Sequence, residues 1–377
     1  MKSKNISLGC LVIYFIIMVS FVAIRVCNHY GLFYFLGEYG GYFISIFTQL
    51  GLLFFVSIVL YKTFTKASFK STFKAFNFKK ISSKTILISI AIGLVVFCLN
   101  IYVANFFNSI IGFFGYKFSH STSNARPEWW MFLLNLFCTA VLPAIAEETL
   151  HRGMLMRGVS KLGIKKSIFF TGLLFGLMHL NIEQFFYATI IGWFLGYLLI
   201  ASNSIYPCII VHFINNAISV FLSFARANKW PIGNVFSHLN QFLFKNQFLG
   251  FVMVFLFLIL LVVLLVELTK MIMKESFEYN VGAQQKKLTS MVIRESYFTQ
   301  IESIKNNVES QSLYSSKDNV IYINANDLLN FVGKSIDDIR LNPKKKGSLD
   351  AKSKVFLYGS LALSAIITIM TFIWGLF

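Results

Sequence analysis

Apolar runs long enough to cross a bilayer recur from one end of this chain to the other, and they restrict its fold more than any other feature. In hydrocarbon every backbone amide must find its partner within the protein, so each crossing is a helix or a strand of a closed barrel. Helical crossings take roughly 17 to 25 residues, and runs near that length, some short or kinked, fall at about 6–26, 41–61, 85–113, 129–150, 167–180, 184–202, 204–223, 247–268 and 354–377. Charged residues make up 13% of the chain and hydrophobic ones 56%, whereas a soluble domain is about a quarter charged. The sequence predicts an all-α polytopic membrane protein, a bundle of about eight to nine transmembrane helices with a small cytoplasmic insertion, multi-pass in the cell membrane. The first run is expected to stay as a span, because it is long for a signal peptide and lacks a small-residue cleavage site.

The net charge of +18 is explained by where the cations lie. Lys62, Lys66, Lys70, Lys74, Lys79, Lys80 and Lys84 gather around the loop after the second run, and Arg157, Lys161, Lys165 and Lys166 after the fourth. Counting crossings from a cytoplasmic N-terminus puts both loops on the cytoplasmic side, as the positive-inside rule requires. Anionic lipid then accounts for the basicity, and no nucleic-acid partner is expected. The five cysteines lie mostly in apolar runs without zinc-ligand spacing and read as small packing residues. Five segments follow: 1–84, N-terminal spans and basic loop, read as scaffold; 85–225, a catalytic core; 226–268, an outer loop and a further span; 269–353, a cytoplasmic insertion holding ten of the sixteen acids; and 354–377, a last span. Within the insertion, Asn319–Asn324 alternates like a strand and Asn326–Val332 reads as helical.

Against this apolar background, Pro143-Ala-Ile-Ala-Glu147-Glu148-Thr-Leu-His151-Arg152-Gly153 stands out. Of the five acids before residue 267, only Glu147 and Glu148 fall within an apolar run, and an ionisable residue in a membrane segment marks a functional site by default. His179 in the fifth run, and His212 with Asn216 in the seventh, bring further polar groups inward from separate helices. Glu148 and Arg152 have the four-residue order that favours an ion pair along a helix, which leaves Glu147 the freer carboxylate. Glu147 and His179 sharing a water suit general-base work. His212 and Asn216, one turn apart, suit stabilisation of an oxyanion. Asn215 is expected on another face, and His151 has the spacing to pair with Glu147. Gly172, Gly176, Gly192 and Gly196 predict close backbone packing of the fifth and sixth helices.

Glu147-Glu148-x-x-x-Arg152, Phe175-x-x-x-His179 and His212-x-x-x-Asn216, in this order over roughly residues 85–225, resemble the three motifs of the CPBP family of intramembrane proteases. That family includes CAAX prenyl endopeptidases and bacterial Abi or bacteriocin-immunity proteins. The resemblance implies a glutamate-dependent endopeptidase acting on a membrane-associated or lipidated peptide at the bilayer. Glu147 and His179 then correspond to the water-activating pair, His212 and Asn216 to the oxyanion-stabilising positions, and Glu148 and Arg152 to the supporting pair. Zn(2+) on Glu147, His179 and His212 and a metal-free mechanism stay equally open, since one Glu and two His suffice for an open zinc site but no short ligand pair is present. His151 departs from the motif, which usually has an apolar or aromatic residue there. Two rivals are a non-catalytic immunity or stress-protection protein and a proton-relaying transporter, the latter without visible broken-helix pairs.

Overall fold

The computed structural model describes residues 5–118, 127–285, 291–294, 314–317, 320–323 and 348–377. The chain divides into a membrane unit, Met1–Met273 with Gly347–Phe377, and a second unit, Lys274–Lys346. Long helical segments of the membrane unit are numbered α1 (Ile6–His29), α2 (Tyr34–Thr65), α3 (Ser83–Phe113), α4 (Trp129–Leu162), α5 (Ile164–Met178), α6 (Ile182–Ser202), α7 (Tyr206–Ala227), α8 (Gln247–Gln285) and α9 (Ala351–Trp374). All but α5 are long and apolar enough to cross a membrane. At 15 residues, α5 spans about 22 Å at 1.5 Å per residue, short of a full hydrocarbon core, and it reaches less far than the fifth apolar run suggested.

The helix ends sort into two levels. At one, Arg157 Nη1 donates to the carbonyl of Ala75 at 3.3 Å and Lys79 Nζ to Asn203 Oδ1 at 2.6 Å, so the lysine-rich loops share one end. Asn5 bonds Asp350 at this end. At the other, Tyr116 donates to Glu183 at 2.9 Å, and His29 stacks on Trp374 with ring centroids 5.7 Å apart. Because α1 and α9 meet at both levels, they run parallel, as first and ninth crossings must.

Packing follows the glycines. A Cβ at Gly172 would lie 2.6 Å from the Trp193 nitrogen, and one at Gly192 would lie 2.8 Å from the Gly172 Cα, so α5 and α6 touch backbone to backbone. One apolar core joins α1, α2 and α4 around Tyr14, Leu150 and Met154, and another joins α3, α6 and α7 around Ile92, Leu198 and Val211.

α2 and α4 are not uniform. α2 carries a π-helical segment at Phe47–Val56, and in α4 two more, Phe137–Val141 and Thr149–Leu155, flank the regular turns Leu142–Glu148. Pro143 has no N–H for the preceding turn and its ring crowds the carbonyl four residues back, which accounts for the disturbance ahead of it. π turns of this kind concentrate at functional sites.

In the second unit, Met291–Arg294 (β1), Tyr314–Lys317 (β2) and Val320–Ile323 (β3) form an antiparallel sheet of order β1-β3-β2. β3 coincides with the expected strand, while the expected helix at Asn326–Val332 lies outside the described residues.

Candidate functional site

A cavity of about 470 Å³ runs between the helices, and Glu147, His179, His212 and Asn216 all line it. The regular turns of α4 deliver Glu147, which is 7% exposed. Its Oε1 accepts a hydrogen bond from Gln49 Nε2 at 2.9 Å, and among the described residues Oε2 has no donor. A buried carboxylate oxygen without a donor is costly, so this oxygen calls for water or substrate.

Glu148, one residue on, is fully buried and faces away from the cavity. Its Oε1 accepts from Arg152 Nη1 at 3.1 Å and from His212 Nδ1 at 2.9 Å. Arg152 also donates from Nη2 to the Gly192 carbonyl at 2.9 Å, and its guanidinium lies over the Phe175 ring, 4.5 Å from the centroid. The close glycine contact of α5 and α6 thus sets the carbonyl that holds Arg152, which holds Glu148, which fixes His212. A carboxylate clamped by a guanidinium accepts only, so His212 carries its proton on Nδ1 and Nε2 is its remaining nitrogen.

His179 ends α5, and its Nδ1 bonds the Phe175 carbonyl at 2.9 Å. A carbonyl cannot donate, so Nε2 is the nitrogen left with a lone pair. The next residue, Leu180, takes a left-handed φ of 50°, a conformation that costs a bulky side chain energy and gathers near functional sites. Asn216 Nδ2 donates to the Thr139 carbonyl at 3.1 Å, the carbonyl that Pro143 cannot serve. One amide hydrogen of Asn216 is thereby committed and one remains.

Several expectations change. Asn215 does not sit on another face: it lines the same cavity and donates to Asn216 Oδ1 at 3.0 Å, because a wide cavity accepts two adjacent positions of one helix. His151 does not pair with the Glu147 carboxylate. Its Nδ1 bonds the Glu147 carbonyl at 2.9 Å and Nε2 lies 3.3 Å from the Tyr14 hydroxyl, in full burial. Residues 1–84 are more than scaffold, since Arg25, Ser45 and Gln49 line the cavity. The bundle was also expected to open to the cytoplasm or to lipid. Arg25, four residues from the end of α1, and Gln184, two residues into α6, place much of the cavity in the half remote from the lysine-rich loops.

Among the described residues, no three His, Cys, Asp or Glu side chains are grouped to hold a metal ion. Glu147, His179 and His212 therefore do not make a ligand triad in this arrangement, and no step below passes through a metal. The cysteines are free thiols.

Helices of membrane-crossing length around a polar internal cavity define a multi-pass membrane protein with an intramembrane site. Residues 129–218 match the family model described as type II CAAX prenyl endopeptidase Rce1-like, and this part of the chain belongs to the CAAX-protease family. The matched segment contains Glu147, Glu148, Arg152, His179, His212 and Asn216, while Gln49 and Arg25 lie outside it. No curated protein and no solved structure matches the chain.

Proposed function

We propose that this protein hydrolyses a peptide bond of a membrane-associated or lipidated peptide, with Glu147 and His179 activating the water. The supporting observation is that a carboxylate, two imidazoles and an amide from α4, α5 and α7 border one cavity. The matched family is named for prenylated CAAX peptides, which favours a lipid-bearing substrate.

Water held between Glu147 Oε2 and His179 Nε2 gives up a proton to Glu147 and attacks the scissile carbonyl carbon. The carbonyl oxygen becomes an oxyanion and accepts from Asn216 through its uncommitted amide hydrogen, and from His212 Nε2 when both ring nitrogens carry protons. Glu148 balances the charge of that form, and Arg152 keeps Glu148 in place. Collapse of the intermediate breaks the C–N bond, and the proton on Glu147 passes to the leaving amine. A positioned general base contributes about 10²- to 10⁴-fold, and one oxyanion donor about 10²- to 10³-fold.

The test is comparative peptidomics of membranes from cells carrying the intact protein or Glu147→Gln. Peptides produced by the first and absent with the second identify the substrate. Identical peptide sets, with any cellular protection unchanged, would leave a binding role such as immunity instead.

A further inference from the structure

Arg25 is a cation in the wall of the cavity, contributed by the first helix and left unassigned by the chemistry above. Its side chain is exposed, and among the described residues nothing accepts a hydrogen bond or forms an ion pair with it. The membrane half of the chain has few anions to offer. Glu148 is taken by Arg152 and His212, Glu183 accepts from Tyr116, and Glu147 Oε1 accepts from Gln49. A guanidinium near the end of a span often reaches out to lipid headgroups. This one instead borders the same space as Glu147, His179 and Gln184.

Arg25 also borders a second space of about 470 Å³, an apolar groove between α1 and α9 lined by Val22, Val26, Ile367, Met370 and Trp374. It is the residue the two spaces share. A guanidinium presents a planar fork of donors matched to a carboxylate. At this junction it meets a ligand that combines an anionic group with apolar side chains and lies across the catalytic groups.

We infer that Arg25 is a substrate-binding residue that selects peptides carrying a carboxylate flanked by apolar residues, seated in the cavity with those residues in the adjoining groove. The inference rests on the proteolytic reading for the identity of the peptide, though the carboxylate preference is measurable without turnover. The carboxylate is either the free C-terminus or an acidic side chain.

The experiment uses the full chain in phosphatidylcholine vesicles and three fluorescent farnesyl-cysteine peptides, each ending in three apolar residues. One has a free C-terminus, one a C-terminal carboxamide, and one a carboxamide with a glutamate among the last three residues. The intact protein is expected to bind at least one carboxylate form about tenfold or more tightly than the plain carboxamide, the scale of a charge-assisted contact. The preference should collapse in Arg25→Gln, return in part in Arg25→Lys, and turn into preference for a lysine-bearing carboxamide in Arg25→Glu. The peptide that shows the preference tells a terminal from a side-chain carboxylate.

Equal binding of all three peptides by the intact protein, or binding of none, overturns the assignment. So does a preference that survives Arg25→Gln, or one that vanishes when phosphatidylglycerol is added, since headgroup phosphate would then be the occupant. Cleavage is read in the same samples. Carboxylate preference without cleavage removes the protease reading and keeps Arg25, and cleavage without preference does the reverse.

Discussion

Gln49 Nε2 donates to Glu147 Oε1 at 2.9 Å, tying a π-helical part of α2 to the carboxylate proposed as the base. The bond fixes one oxygen and leaves the other facing the cavity. Gln49→Ala should lower kcat ~10- to 100-fold with KM nearly constant, because a buried acceptor loses its donor and the carboxylate its aim. Steady-state kinetics on the substrate found by peptidomics would check this, and a change confined to KM would mean that Gln49 contacts the peptide instead.

Gly192 and Gly196 sit one turn apart on α6 but in different surroundings. A Cβ at Gly192 would meet the Gly172 backbone at 2.8 Å, whereas at Gly196 the nearest atom is an Ile168 side-chain carbon at 3.4 Å. Gly192→Ala should cost ~1–3 kcal/mol of overpacking and move the carbonyl that holds Arg152. Gly196→Ala should change little. Thermal unfolding in detergent compares the two.

Asp350 caps α9, and its carboxyl is held down from 3.8 to about 2, first by the Ser353 backbone N–H and then by the Asn5 side chain. A folded-state value below the ordinary one means that its contribution is fully present above about 4. That contribution is lost as pH falls toward 2. Hydrogen exchange in the first turn of α9 should therefore speed up through that window in the intact protein. It should do so less in Asp350→Asn, which keeps a capping side chain but does not titrate.

Dialysis against a chelator should leave peptide cleavage unchanged, since no metal-ligand group forms among the described residues. Cleavage that fails after dialysis and returns with zinc would require Glu147, His179 and His212 to close up around an ion.

The spans and the order of the polar motifs were legible because charge in hydrocarbon is costly enough to stand out. Gln49 and Arg25 obey the same rule, being polar residues inside apolar runs. Attention to carboxylates and histidines passed over them, although each signals a partner or a cavity. His151 misled for a different reason. Four-residue spacing puts side chains on one helical face, yet a ring pointing back toward the N-terminus reaches the preceding carbonyl before the preceding side chain. The parallel pairing of α1 and α9 brings together segments more than three hundred residues apart, and no local pattern encodes such a contact.

The π-helical segment ahead of Pro143 gives α4 an odd sensitivity to chain length. A π turn accommodates one residue more than an α turn, so losing a single residue from Phe137–Val141 would let the helix return to regular winding. Everything beyond would then swing by ~100°, carrying Glu147 off Gln49 and turning its neighbours toward the cavity. In α4, the count of residues before the proline specifies the aim of the carboxylate as firmly as the carboxylate's own identity.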